Sequence, residues 1–347
     1  MKTRIISVHP KKPDRKKIEK AAAVLRKGGI VGFPTETVYG LGAGIFSSSA
    51  IKKLFKAKGR PNDNPLIVHI ASKKQLKALV TEVPPVAVKL MKKFWPGPLT
   101  LILYKSDLVP SSITAGLKTV AVRMPAHPVA RALIRQANMP VAAPSANRSG
   151  KPSPTDAGHV LDDLNHRVDC ILDGGASIVG LESTVLDLTS KPYMVLRPGA
   201  ITVKEIRKII GTVKVYPSRR GTGRQLDRVK SPGMKYRHYA PKARLFLWEG
   251  RPNRIRTVAQ RNAASLLRQK QKVALVTTDL SYCVSGIQNV LMGSTAAEVG
   301  RNLYLVLRML DREKTDVILA VGFEEKKVGL AVMNRLRKAA DRYSVLL

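Results

Sequence analysis

Residues 30–70 read IVGFPTETVYGLGAGIFSSSAIKKLFKAKGRPNDNPLIVHI. The opening IVGFPT predicts a strand that runs into a loop, TETVYGLGAG, rich in the residues that turns demand. Ser49 to Lys58 then reads as a helix, and LIVHI (66–70) as a buried strand. One helix between two strands within about forty residues is the signature of a layered α/β sheet.

The pattern extends in both directions. Upstream, RIISV (4–8) reads as a strand, and Asp14 to Lys27 as a capped amphipathic helix with Ile18, Ala21, Ala22 and Leu25 on one face before Gly28 and Gly29. Downstream, LTLILY, TVAVRMP, PVAAPS, VDCIL, STVLDL and MVLRPG predict strands, while 73–79, 86–94, 128–137 and 203–210 predict helices. The 347 residues exceed what one core usually spans, so two folded units are expected. From Lys214 to Arg244, ten Lys or Arg stand against the single acid Asp227, with frequent Gly, Pro and Ser and little periodicity before Lys242. This stretch reads as a linker. Beyond it, ARLFLWEG, KVALVTT, NVLMG and DVILAVGF predict strands, alternating with helices near 254–269, 296–311 and 329–341. The expectation is a smaller Rossmann-like α/β domain with a parallel sheet. It lacks a G-x-G-x-x-G after its first strand, so the fold implies no dinucleotide. The expected organisation is a catalytic domain over 1–211, a basic connector over 212–241 and a second domain over 242–347.

Composition narrows the class. Hydrophobic residues make up 44% of the chain, yet no run approaches the roughly 20 apolar residues of a bilayer span, so no membrane partner is expected. MKTRIISVHPKK has no secretory pattern. The two cysteines, Cys170 and Cys283, lie far apart and without metal-like spacing, which argues against a disulfide scaffold or a zinc site and fits a reducing, cytoplasmic setting. The net charge of +37 should attract polyanions. It fits a nucleic-acid or nucleotide partner and equally a general basic bias of the source proteome.

Three loops could carry chemistry. KAKGRPNDNPLIVHI gathers Lys56, Lys58 and Arg60 at a helix end ahead of a strand bearing His69. Such cations suit phosphoryl oxygens, and they also complement a helix C-terminus. PVAAPSANRSGKPSPT offers Ser145, Asn147, Ser149, Gly150, Ser153 and Thr155, small and hydroxylated residues that let backbone approach an anion, though a plain surface loop has the same composition. FPTETVYGLGAG adds Thr35, Glu36, Thr37 and Tyr39, and GLEST adds Glu182. No nucleophile elbow, Walker-type phosphate loop or H-E-x-x-H occurs. Catalysis by positioning and charge stabilisation is what remains.

Taken in order, these segments resemble the YrdC-like threonylcarbamoyl-AMP synthases in their long, two-domain form. The likeness rests on FPTETVYGLGA, KGR, FWPGPLTLIL, VAVRMPAHP, PVAAPSANRSGKPSPT, GLESTVLDL and RPGAI, then SPGMKYRHYAPKA and GLAVMNRLRKAA further on. It implies a twisted-sheet α/β catalytic domain with a large cavity, and synthesis of threonylcarbamoyl-adenylate from L-threonine, bicarbonate and ATP with release of pyrophosphate, for modification of tRNA. The family's Lys-x-Arg and Ser-x-Asn signature falls on Lys58 with Arg60 and Ser145 with Asn147. The resemblance further implies Arg60, Asn64, Thr119, Ser145, Ser153 and Arg197 around ATP, with Tyr236 and Tyr239 closing over it alongside His238. It implies Thr37, His69, Arg123, Ala143 and Ser183 around L-threonine, with Arg123 pairing the carboxylate. Magnesium is expected with the nucleotide, carried on phosphates and water because no protein cage for it is visible. tRNA or proteins of a tRNA-modifying complex are further candidate partners. The rival reading is a basic RNA-binding module without turnover; it is disfavoured by an aromatic content of 5%, which leaves few stacking platforms. A carbamoyl-transfer enzyme of hydrogenase maturation would need zinc-finger cysteines and an acylphosphatase region, neither of which is present.

Overall fold

A computed structural model of the chain describes residues 2–217, 230, 238–340 and 344–346. Two units emerge: Met1–Ser149 with Ser153–Lys235, and Gly150–Pro152 with Tyr236–Leu347.

The first unit runs β1 (Arg4–Ser7), α1 (Arg15–Arg26), β2 (Val31–Phe33), β3 (Gly40–Gly44), α2 (Ser48–Lys58), β4 (Ile67–His69), α3 (Lys73–Leu79), α4 (Pro85–Phe94), β5 (Leu99–Tyr104) and α5 (Ser111–Thr114). It continues through β6 (Thr119–Arg123), α6 (Pro128–Ala137), β7 (Val141–Ala142), α7 (Ala157–Leu164), β8 (Cys170–Asp173), β9 (Thr184–Asp187), β10 (Tyr193–Arg197), α8 (Val203–Ile210) and β11 (Val213–Val215). The strands form one mixed sheet in the order β1-β8-β2-β3-β7-β4-β6-β5-β9-β10-β11. Its helices start where side chains can satisfy free amides. Asp14 accepts from Lys17 N at 2.8 Å to cap α1, and Ser47, Ser72 and Asp156 do the same for α2, α3 and α7. The buried face of α1 is Ile18, Ala21, Ala22 and Leu25, which packs with Val129, Leu133 and Ile134 of α6. A larger core gathers Leu54 of α2, Leu90 of α4 and Ile206 of α8 against Val68, Leu101, Leu103, Val120 and Val122 of the central strands.

Most expected strands and helices are present, with three informative differences. The latter half of the expected loop TETVYGLGAG is β3, antiparallel to β2 with Gly42 opposite Val31. Glycines hid the strand, since they pack poorly and read as turns. They are there for space: a Cβ on Gly42 would lie 2.8 Å from Val141 Cγ1 and 2.9 Å from Phe33 Cε1. Helices α5 and α7 are additional, the second behind a Ser/Pro-rich loop that masks its start. Val213–Val215, read as the head of the basic connector, instead forms β11, parallel to β10.

The second unit contains β12 (Arg244–Glu249), α9 (Pro252–Arg268), β13 (Val273–Thr277), β14 (Gln288–Leu291), α10 (Ala296–Arg312), β15 (Val317–Val321), α11 (Gly329–Ala340) and β16 (Ser344–Leu346). All its strand pairs are parallel, in the order β14-β13-β15-β12-β16. β13 and β15 are buried along their whole length, as a parallel sheet covered on both faces requires. Val273, Leu275, Val317, Leu319 and Val321, spaced two apart, pack with Ile255, Ala259 and Ala263 of α9.

Candidate active site

The alternation of β4, β5 and β6 divides their side chains between two faces. Val68, Leu101, Leu103, Val120 and Val122 enter the large core. On the opposite face, register aligns His69 with Arg123 and Thr100 with Arg123, a polar row across three strands. Below that row Ile67, Ile102 and Ala121 join Val185 and Leu196 in a small apolar floor.

Arg123 is 3% exposed and held at several points. Its Nε donates to Gly97 O at 3.3 Å and its Nη1 to Thr37 Oγ1 at 2.9 Å, while Nη2 lies 2.6 Å from a Glu36 carboxylate oxygen. Thr37 is presented by a turn that Thr35 closes, its hydroxyl donating to Val38 O at 2.6 Å and accepting from Thr37 N at 3.2 Å. Ser177 donates to Thr35 O and Val179 N to Glu36 O, which pins the same turn. His69 is fully enclosed, its Nδ1 3.2 Å from Ile67 O. Burial, reinforced by the charge of Arg123, pushes its pKa down to about 3, so the ring is neutral at physiological pH. His127 is also held below the usual range by burial, against the opposing pull of Glu36. Ala143 enters through its backbone, N–H donating to Ile67 O at 2.9 Å.

The Lys-x-Arg and Ser-x-Asn segments meet. Lys58 ends α2 and is 2% exposed; its ammonium donates to both Ser145 O and Asn147 O. Gly59, at φ 60°, takes the left-handed conformation that turns the chain off the helix. Arg60 then donates to Asn64 O at 3.2 Å and Pro65 O at 3.0 Å. Ser145 Oγ donates to Asn147 Oδ1 at 2.5 Å, and Ser149 N donates back to Lys58 O at 2.9 Å. Asn64 is buried, and its side-chain oxygen accepts no hydrogen bond among the described residues. A cavity of about 510 Å³ lies along α2, lined by Ile51, Lys52, Phe55, Lys56, Arg60 and Ser112.

A third cluster joins the GLEST and RPG segments. Ser183 Oγ lies 2.7 Å from Thr100 Oγ1, and Arg197 reaches Ser183 O and Oγ at 3.1–3.2 Å. Gly199 makes this possible: a Cβ there would stand 2.4 Å from Thr184 N and 2.5 Å from Glu182 O. Ser153 donates to Glu182 Oε1 at 2.5 Å, both residues buried. Thr119 opens β6, four residues and roughly 13 Å from Arg123 on the same face.

Thr37, His69, Arg123, Ala143 and Ser183 therefore converge on one sheet face, Arg197 connects with them through Ser183, and Lys58 binds the loop of Ser145 and Asn147. Tyr239 belongs to the second unit, where its ring lies 5.5 Å from that of Tyr304 and Arg335 sits over it at 5.6 Å. Tyr236 lies outside the described residues. Thr100 went unread in the sequence, although a lone hydroxyl inside the apolar run LTLILY was a signal. Among the described residues no group of three or more His, Cys, Asp or Glu comes together to hold a metal ion. None of the described helices is long and apolar enough to cross a membrane.

Comparison with known proteins identifies the family. Residues 23–199 match a family described as telomere recombination, and residues 201–341 match the threonylcarbamoyl-AMP synthase C-terminal domain. The chain is 51% identical to a threonylcarbamoyl-AMP synthase of Pyrococcus abyssi, covering 93% of this chain and 94% of that one. It is 48% identical to the protein of that name from Bacillus subtilis, covering 93% and 92%. The crystal structure of P. abyssi Sua5 complexed with L-threonine superposes with a TM-score of 0.94 at 49% identity, covering 99% of this chain and all of that one. With both domain families matched in order and relatives this similar along nearly the whole length, the chain belongs to the threonylcarbamoyl-AMP synthase family.

Proposed function

We propose that this chain synthesises threonylcarbamoyl-adenylate from L-threonine, bicarbonate and ATP, releasing pyrophosphate. The observation that carries this reading is the buried Arg123, aligned with His69 and Thr100 and oriented by Gly97 O and Thr37 Oγ1. A fixed, buried guanidinium suits a substrate carboxylate. The threonine amine, as the free base, attacks the bicarbonate carbon with loss of water to give a carbamate. A carbamate oxygen then attacks the α-phosphorus as the bond to pyrophosphate breaks. Both steps join anions, so positioning and charge neutralisation are the protein's contribution.

In this reading Thr37, Ser183 and the Ala143 backbone orient threonine, and neutral His69 lines its pocket without adding charge. Arg60, Asn64, Thr119, Ser145, Ser153 and Arg197 face ATP, and the open acceptor of Asn64 suits a nucleotide donor. Lys58 braces the Ser145–Asn147 loop through its two carbonyl contacts. Magnesium would arrive on the triphosphate and neutralise its charge, with no residue here assigned to hold it. A cytoplasmic enzyme feeding tRNA modification fits the two free thiols and the net charge of +37. With isotopically labelled bicarbonate, mass spectrometry of the reaction mixture should show an adenylate carrying threonine and one labelled carbon. An unlabelled threonyl-adenylate would instead mark simple amino-acid activation and contradict the proposal.

A further inference from the structure

Glu36 has no part in the roles above, yet it is buried against the residue at their centre. It precedes Thr37 on the turn between β2 and β3 and is 7% exposed. One carboxylate oxygen stands 2.6 Å from Arg123 Nη2, but the alignment is not that of a hydrogen bond, and neither oxygen accepts one from the described residues. Leaving a buried carboxylate so poorly satisfied is costly unless a charge or a ligand donor compensates. Orientation of Arg123 does not require it, because Gly97 O and Thr37 Oγ1 already fix the guanidinium through Nε and Nη1. What Glu36 adds is negative charge, and open acceptor capacity beside the cation.

We propose that Glu36 is a specificity-determining residue that makes the Arg123 pocket select a zwitterionic α-amino acid over a simple carboxylic acid. Arg123 takes the carboxylate, and Glu36 takes the ammonium of the arriving zwitterion, whose three donors match its open lone pairs; that group reacts only after losing one proton to become the free amine. This rests on the reading of the site as an amino-acid pocket. The two protein charges are adjacent, as the two charges of an α-amino acid are. With the pair in place the pocket is neutral, and a zwitterion leaves it neutral. A carboxylate lacking the amine would bring an uncompensated negative charge into a buried site. Burial holds the neighbouring imidazoles of His69 and His127 below their ordinary range, so neither is favoured as a compensating cation.

The test is calorimetric titration of the full chain with L-threonine and with 3-hydroxybutyrate, its deaminated counterpart, using the wild type, Glu36→Gln and Glu36→Asp. The wild type should bind L-threonine at least tenfold more tightly than 3-hydroxybutyrate. Glu36→Gln should weaken L-threonine about tenfold while tightening 3-hydroxybutyrate, collapsing the preference. Glu36→Asp keeps the charge but withdraws it, and should weaken L-threonine without tightening the deaminated acid, which keeps the test decisive if the glutamine variant folds poorly. An unchanged ratio of the two affinities in Glu36→Gln would overturn the proposal while leaving the amino-acid pocket standing. Absence of L-threonine binding in the wild type would overturn the pocket and the proposal together.

Discussion

At the scale of single residues, the proposed function assigns the amino acid to Arg123 and the nucleotide to other residues. Arg123→Ala should therefore lower kcat/KM for L-threonine by at least about a hundredfold, since loss of a buried charge-assisted contact costs roughly 3 kcal/mol or more. Nucleotide affinity, measured by titration with ATP alone, should change by less than about threefold. A fall in both would place Arg123 in general folding. His69 supplies a second test. Its pKa lies near 3 when folded, against an ordinary value of 6.5 for the unfolded chain, so between those values the unfolded chain binds the extra proton. Stability should be full above about pH 6.5 and decline as the pH falls towards 3. His127, depressed by burial in the same direction, adds to the decline below its ordinary value. Denaturant titrations from pH 7 to 4 should show this decline, and His69→Gln should reduce its slope without abolishing it. These residues were only partly legible. His69 stood out on its strand and Arg123 did not; the roles of both came from the family resemblance, and neither the composition nor the periodicity of TVAVRMP or LIVHI marks them as partners. It is the strand register that aligns them, and a register is a long-range property that no local window carries.

At the scale of elements, legibility followed the physics of each signal. The amphipathic helix at 15–26 and the strands of LTLILY and TVAVRMP were readable because period and burial coincide. β3 was not, because Gly40, Gly42 and Gly44 serve packing against Phe33 and Met139 and look like turn residues. β11 was obscured by Lys214, an exposed cation in a strand of three residues at the sheet edge, where charged side chains are common. Two consequences can be measured. Gly199→Ala should push the backbone at Thr184 and Glu182 and so displace Ser183 from Arg197, lowering turnover well beyond its effect on folding, as comparison of activity with unfolding temperature would show. In the second unit, α10 begins with a capping box in which Thr295 and Glu298 satisfy each other's amides. Thr295→Ala should cost about 1 kcal/mol of stability in denaturant titration and leave L-threonine binding, proposed for the first unit, unchanged.

At the scale of the whole molecule, the two units carry their own cores and one free thiol each, which gives each a reporter. Cys170, in β8, is 1% exposed, and burial pushes its thiol up to about 12, whereas Cys283 is part exposed beside a short turn. A thiol reagent should titrate Cys283 in the native protein and reach Cys170 only on unfolding of the first unit. The division into two α/β units was readable from the alternation of strands and helices on either side of a basic stretch. Grouping of Gly150–Pro152 with the second unit was not, since three residues of a Ser/Pro-rich loop carry no such signal. The net charge of +37 set the expectation of a polyanionic partner, but it is the buried arrangement around Arg123 and Lys58 that argues for chemistry on small substrates. The most direct test is pyrophosphate release from ATP by the purified chain with magnesium, with and without L-threonine and bicarbonate, repeated with Arg60→Ala. Release should require both small substrates and be lost in the variant; release independent of them, or none at all from the wild type, would contradict a threonylcarbamoyl-adenylate synthase.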